Sequence, residues 1–338
     1  MEKIKNLFKS TQIYVLLVLV IYCVIVSLVN PQFATLENIF DIIRNCSAPM
    51  VFAMGVMLVM VADGIDVSFA IISVFSTYAA IIAMKAFEMD QLWFGFLITM
   101  LVGALLGVVN ALIIHLFKVP TFIATLGTQT IFIGLLANTL GTTTIKTPQM
   151  PISLVEFGSQ KLITIVEESG KQYGLYIYII PVVIIVVFTA VLLKYTKFGR
   201  SIVAMGNSKE AARRAGYNLF KTRIILYTLV GVYAGIAGLM YISQTAWIAP
   251  MVNNLTGSIE MTIIAAVVIG GTQLTGGYGT VVGSILGVIL MRVFSSTLIF
   301  LGIDSSWSDF FLGLVMVLCI IITSISRNRT RKKLLIFD

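Results

Sequence analysis

Charge is what this sequence has least of. Asp, Glu, Lys and Arg make up 11% of the 338 residues, where an ordinary soluble chain carries roughly 25%. A soluble fold of this length could not cover its surface with so little. Histidine occurs once, at His115, so no multi-histidine metal centre is available. The three cysteines, Cys23, Cys46 and Cys319, lie far apart without a C-x-x-C, which gives neither a disulfide framework nor a zinc site. Prolines number seven, and the 27 glycines follow no G-X-Y period, excluding collagen-like and low-complexity material. No G-x-x-x-x-G-K-[ST] occurs, so the chain has no P-loop of its own for ATP. No Ser/His pairing or H-E-x-x-H supports an embedded hydrolase, and no cofactor is implied.

What is present is apolar. Hydrophobic residues reach 58% and the mean hydropathy is +1.00. The expectation is an all-α, polytopic transmembrane bundle forming a single domain over 1–338. A spanning helix needs about 20 mostly apolar residues. Ten candidate spans follow: 11–29, 46–62, 67–84, 92–115, 119–140, 175–194, 224–243, 257–273, 279–300 and 308–326. The first reads as an uncleaved helix, because its apolar run is long and ends in no small-x-small site.

Net charge is +8, which by itself suggests nucleic acid. Its distribution argues otherwise. With the N-terminus inside, seventeen Lys and Arg fall in inner segments and five in outer ones, namely Arg44, Lys85, Lys146, Lys161 and Lys171. This is the positive-inside bias. Both termini are therefore expected in the cytoplasm, and the basic balance is matched to anionic lipid with no nucleic-acid partner. Two connecting segments stand out. Residues 141–174 read as a polar extracytoplasmic loop, suited either to meeting a partner or to serving as a solvated connector. Residues 195–223 read as a basic cytoplasmic segment.

Within the latter, 206–216 has the marks of a short helix. Asn207 is placed to cap it and Glu210 to reach back three residues, a variant of the capping box. Glu210 early and Arg213 and Arg214 late suit the helix dipole, and Gly216 can close it in the left-handed region. Two turns are marginal in isolation, so this helix either docks on something, with Ala211, Ala212 and Ala215 as its small face, or is a surface connector.

This run resembles the cytoplasmic coupling segment of bacterial ABC importer permeases. Three further stretches are similar to the ribose/simple-sugar branch of that family. They are Gly64-Ile65-Asp66-Val67-Ser68; Phe122-Ile123-Ala124-Thr125-Leu126; and Ile264 to Thr272, followed by Gly276-Gly277-Tyr278-Gly279 and Val282-Gly283. The agreement in order runs from about residue 30 to 320. Phe69-Ala70, Thr262 and Leu312 depart from the branch's usual residues. The resemblance implies a non-catalytic membrane subunit of an ATP-driven importer for ribose or a similar monosaccharide, in the inner (cytoplasmic) membrane. It implies as partners a separate ABC ATPase, an extracytoplasmic sugar-binding protein and a second permease copy, identical or related. Asn207, Glu210, Ala211, Arg213, Arg214 and Gly216 would then couple to the ATPase. An autoinducer-2-like furanose is an alternative substrate, and a stand-alone ion-coupled carrier an alternative function.

Two places combine polar residues with interrupted apolar runs, 63–68 and 270–278. Interrupted spans point to a transport pathway; two tight turns at the inner surface are the other reading. Asp63, Asp66, Ser68, Thr125, Gln129 and Glu260 are the pathway candidates, because a carboxylate at membrane depth costs about 2.5–3.5 kcal/mol unless it faces a partner or cavity. Asn110, Asn138 and Gln244 are further polar residues within spans. Glu260 is expected near Arg292. Gly279, Gly283 and Gly287 recur every four residues, as do Gly103 and Gly107, and Gly231 and Gly235, marking faces for close helix packing.

Overall fold

A computed structural model describes residues 11–62, 64–167, 170–249 and 259–300, together with 307, 310, 313, 314 and 317. The architecture is a helical bundle built around one buried helix. Helix α1 (Thr11–Val29) lies at the margin, where Tyr22 rests against Phe294 with ring centroids 5.5 Å apart. Helix α2 (Leu36–Val61) is the axis, and every residue from Cys46 to Val61 is buried. A helix apolar on all sides belongs inside a bundle. It is followed by α3 (Phe69–Ala86), α4 (Leu92–Leu116) and α5 (Thr121–Thr139).

A small lobe comes next. Strand β1 (Ile145–Lys146) is followed by α6 (Ile152–Ser159) and the antiparallel hairpin β2 (Lys161–Val166) and β3 (Gln172–Tyr176). The chain then forms α7 (Ile179–Tyr195), α8 (Lys197–Asn207), α9 (Lys209–Arg214) and the long α10 (Leu219–Thr245). Strand β4 (Trp247–Ile248) pairs antiparallel with β1, and α11 (Ile259–Ile269) and α12 (Val281–Phe300) close the described bundle.

Seven of these helices are long and apolar enough to cross a membrane, or eight if the bent pair α7–α8 counts as one span. Ten are not found among the described residues. The expected span 308–326 lies mostly outside them, and α11, at eleven residues, covers only part of 257–273. Other boundaries differ too. Helix α2 begins ten residues before the expected span, because Glu37, Asn38, Asp41, Arg44 and Asn45 read as a loop. The lobe satisfies this polar turn: Glu37 pairs with Lys171 at 2.7 Å. Arg44 donates to the Gly158 carbonyl at 3.1 Å and stacks 4.3 Å over the Tyr176 ring.

Residues 141–174 thus form folded structure rather than a plain loop. Asp90 anchors the start of α6 by accepting the backbone N–H groups of Ile152 and Ser153 at 2.8 and 3.0 Å. Burial works upward on its carboxyl, but the Ser153 side chain and those two N–H donors outweigh it and hold Asp90 below the usual aspartate range.

Helices α4 and α10 approach backbone to backbone over four glycines. A Cβ on Gly231 would overlap the Gly103 carbonyl oxygen, one on Gly103 the Gly231 carbonyl, one on Gly107 the Tyr227 carbonyl, and one on Gly235 the Thr99 carbonyl. Only hydrogen at these positions allows the two backbones to touch.

Candidate functional site at two chain breaks and a capped helix

The first break separates α2 from α3. Its unwound backbone finds partners within the protein. Asp66, 1% exposed, accepts through Oδ1 from the Ser68 backbone N–H at 2.8 Å and the Ser68 hydroxyl at 2.6 Å. Asn110 Nδ2 of α4 donates to Ser68 Oγ at 2.7 Å. Thr125 of α5 accepts from the Val67 N–H and donates to the Ile65 carbonyl, both at 3.3 Å. Tyr227 of α10 is buried near Asp66 and Thr121. The second carboxylate oxygen of Asp66 and the amide oxygen of Asn110 are buried without a partner among the described residues. Asp63 lies outside the described residues.

The second break lies between α11 and α12. Gly271, Gly276 and Gly277 have φ of +94°, +79° and +78°, a backbone that side chains disfavour. The Gln273 N–H donates to the Tyr278 carbonyl at 3.0 Å. On the flanking helices, Gly283 faces Gly270 and Gly287 faces Ala266, both backbone to backbone. Gly279 sits in the break, where a Cβ would press on the side chains of Val61 and Thr272.

The two breaks meet. The Gly277 N–H donates to the Val61 carbonyl at 2.9 Å, supplying one of the acceptors that the end of α2 leaves open. The end of α8 seats against the same point. A Cβ on Gly206 would overlap the Val61 carbonyl oxygen and lie 2.5 Å from the Gly277 nitrogen.

Helix α8 bends from α7 by 72° at Thr196, whose hydroxyl caps it by accepting from the Gly199 N–H at 2.9 Å. Gly199, Ser201, Ile202, Met205 and Gly206 are its buried face. The sequence reading missed this helix, although Ile202, Met205 and Gly206 recur at helical spacing and were open to notice. It also shifted the cap of the next one. Ser208, not Asn207, caps α9, accepting from the Ala211 N–H at 3.2 Å. Asn207 ends α8 and turns its amide onto the Val203 carbonyl at 2.9 Å. Glu210 does not reach back to a cap; it pairs with Arg214 one turn on, at 2.5 Å. Gly216 has φ +84° at the close of α9. Of the three alanines only Ala212 is buried, while Lys209, Glu210, Ala211, Arg213, Arg214, Ala215 and Gly216 are exposed.

Glu260 and Gln129 form a separate pair, the Gln129 amide donating to the Glu260 carboxylate at 3.2 Å. The expected neighbour of Glu260, Arg292, forms no ion pair with it among the described residues; Cys46 and Tyr241 are the groups near its guanidinium. The spacing argument allowed the antiparallel pairing of α11 and α12 but carried no information on rotation about their axes. Among the other polar residues, Gln244 donates to Asn45 at 2.6 Å and Asn138 turns back on the Gly134 carbonyl. No group of three or more His, Cys, Asp or Glu suited to a metal occurs among the described residues.

A family model described as the permease component of branched-chain amino acid transport systems matches residues 38–320. The autoinducer 2 import system permease protein LsrC of Escherichia coli O9:H4 (strain HS) is 30% identical over 98% of this chain and 93% of its own. The ribose import permease protein RbsC of Haemophilus influenzae is 31% identical over 90% of each chain. LsrC of Photorhabdus laumondii is 31% identical over 88% of this chain and 84% of its own. No solved structure matches.

Proposed function

We infer that this chain, which belongs to the family of permease components of branched-chain amino acid transport systems, is the membrane-spanning subunit of an ATP-driven importer in the inner membrane. The cargo is a simple sugar. Ribose or a similar monosaccharide is the first reading, since one relative is named a ribose permease. A furanose of the autoinducer-2 kind is the second, since other relatives carry that name.

The observation that carries the importer reading is α9. It is capped at both ends, and of its six residues Ala212 is buried and the other five are exposed. A six-residue helix is too short to persist without packing, and its charged face offers Lys209, Glu210, Arg213 and Arg214 to another protein. The ATPase subunit is the partner this surface suits, because the sequence has no P-loop. On this reading the end bearing α8 and α9 is cytoplasmic and the end bearing the hairpin is extracytoplasmic. The lobe within 141–174 then receives the sugar-binding protein, and a second permease copy completes the pore. The chain remains one permease domain, with 195–223 as its coupling segment, and does no catalysis itself. Asp66, Ser68, Thr125, Gln129 and Glu260 belong to or border the pathway, whose polar groups suit an uncharged, hydroxyl-rich cargo.

Uptake of labelled ribose by proteoliposomes tests this. Uptake requires ATP, the ATPase subunit and the binding protein. Uptake by this chain alone, driven by an ion gradient without ATP, refutes the reading and returns the carrier.

A further inference from the structure

We propose that Gly206 and Asn207 form a clamp that makes the end of α8 and the second break one rigid body, and that coupling motion enters the bundle through it. This rests on the reading of α9 as the seat of the ATPase. The geometry has three parts. Gly206 lies with its backbone against both the Val61 carbonyl and the Gly277 nitrogen, so any side chain there would collide with main chain. Gly277 and Val61 are themselves joined by a 2.9 Å hydrogen bond. The Asn207 side chain rests on Gly277, its Cγ standing 2.7 Å from where a Cβ on Gly277 would be. Three chain segments that are remote in sequence therefore meet with nothing soft between them. Main chain in contact with main chain transmits displacement, whereas long side chains would absorb it by changing rotamer.

Helix α9 begins one residue after Ser208, directly beyond this contact. A displacement of α9 therefore reaches Gly206 across two residues, and from there both the end of α2 and the Gly276–Gly277 turn. Gly206 and Asn207 are positioning residues in this scheme. They hold the breaks in register with the exposed helix and need not touch cargo.

The test uses the complete complex of permease, ATPase and binding protein in proteoliposomes, with ATP hydrolysis and sugar uptake measured together. Gly206→Ala is expected to lower uptake per ATP hydrolysed by about tenfold while hydrolysis continues. A merely structural role would reduce both together. Wild-type uptake per ATP in this variant overturns the proposal. Should Gly206→Ala fail to assemble, a second set decides. Gly277→Ala is expected to uncouple, both from its φ and from collision with Asn207, and Asn207→Ala is expected to uncouple more weakly, since it removes the side chain that rests on Gly277. Wild-type uptake per ATP in both variants overturns the clamp.

A bridge gives the third readout. With Cys23, Cys46 and Cys319 replaced, Asn207→Cys and Gly277→Cys are expected to form a disulfide, the side chains being within bridging reach. If the two segments move as one, the oxidised complex transports at the rate of its own reduced form, which carries the same loss from Gly277→Cys. Failure to bridge, or uptake arrested until reductant is added, shows segments that are apart or slide, and overturns the proposal. Cross-linking of Lys209→Cys to the ATPase is scored separately. Its absence sinks the ATPase seat without bearing on the bridge.

Discussion

Asp66 separates two functions that a buried carboxylate can serve, and two substitutions tell them apart. Its Oδ1 accepts both the N–H and the hydroxyl of Ser68, which is itself wholly buried. Asp66→Ala strands both donors away from water. Each stranded donor costs about 1–3 kcal/mol, so the pair loses about 2–6 kcal/mol. Asp66→Asn keeps the accepting oxygen and places an amide where Oδ2 now lacks a partner. The same cluster contains the unpartnered amide oxygen of Asn110, an acceptor that a new donor suits. The cost of Asp66→Asn is therefore expected within about 1 kcal/mol of zero. Thermal scans of the purified complex, read by size-exclusion fluorescence, should place the alanine variant about 5–10 °C below the parent and the asparagine variant beside it. ATP-driven uptake should follow the same order. If Asp66→Asn abolishes uptake while leaving the scan unchanged, the charge and not the turn is essential. The reasoning then fails in favour of an ion-coupled carboxylate.

Three further outcomes follow from the geometry. Gly231→Ala should lower stability by about 1–3 kcal/mol, because its Cβ meets the Gly103 carbonyl and stands 3.3 Å from the Ala104 nitrogen; a thermal scan that matches the parent would remove α4–α10 backbone contact as a stabilising feature. Asp90→Ala should weaken the start of α6 by about 1 kcal/mol, seen as faster amide exchange at Ile152 and Ser153. In the parent, the Asp90 carboxyl is held low. Its contribution is therefore fully present above the ordinary aspartate value of about 3.9 and is lost only as pH falls through the lower folded value. Protection at those amides, corrected for intrinsic rate, should stay flat from about pH 7 to 5. Glu260→Gln keeps a partner for Gln129 but removes the charge. It should raise the half-saturating sugar concentration for uptake about tenfold if a charge-assisted bond to the cargo is lost, and unchanged half-saturation takes Glu260 off the pathway.

The helical class and most spans were legible because a continuous apolar run states its own burial. The run from Cys46 to Val61 is buried residue for residue. Polar segments were read less well, since their state depends on partners remote in the chain. Nothing between Leu36 and Asn45 announces that Lys171 and the Gly158 carbonyl will satisfy Glu37 and Arg44. Capping failed by one residue for a local reason. Asn207 and Ser208 are both good caps, and only the end of α8 at Asn207 gives the role to Ser208. Glu260 found Gln129 rather than Arg292 because helical order along the chain does not set helix rotation. Ser68 and Thr125 were named as polar residues within apolar runs, but periodicity could not show that they share one cluster with Asp66.

The ties between these elements form a closed circuit, and that constrains how motion can be accommodated. The first break is held to α5 by Thr125. One turn further along α5, Gln129 holds the start of α11 through Glu260. Helix α11 rises about 16 Å over its eleven residues and ends in the second break, which returns through Gly277 to Val61 and so to the first break. No member of this ring can shift alone without stretching a bond or opening a void in a close-packed interior. A push at Gly206 enters the ring where the two breaks touch, and the response open to it is concerted movement of α5 and α11, which carry Gln129 and Glu260. A short exposed helix at one end of the bundle is thereby joined to a polar pair about 16 Å away along α11. In an importer this is the linkage needed between nucleotide-driven motion and the residues proposed to meet the sugar.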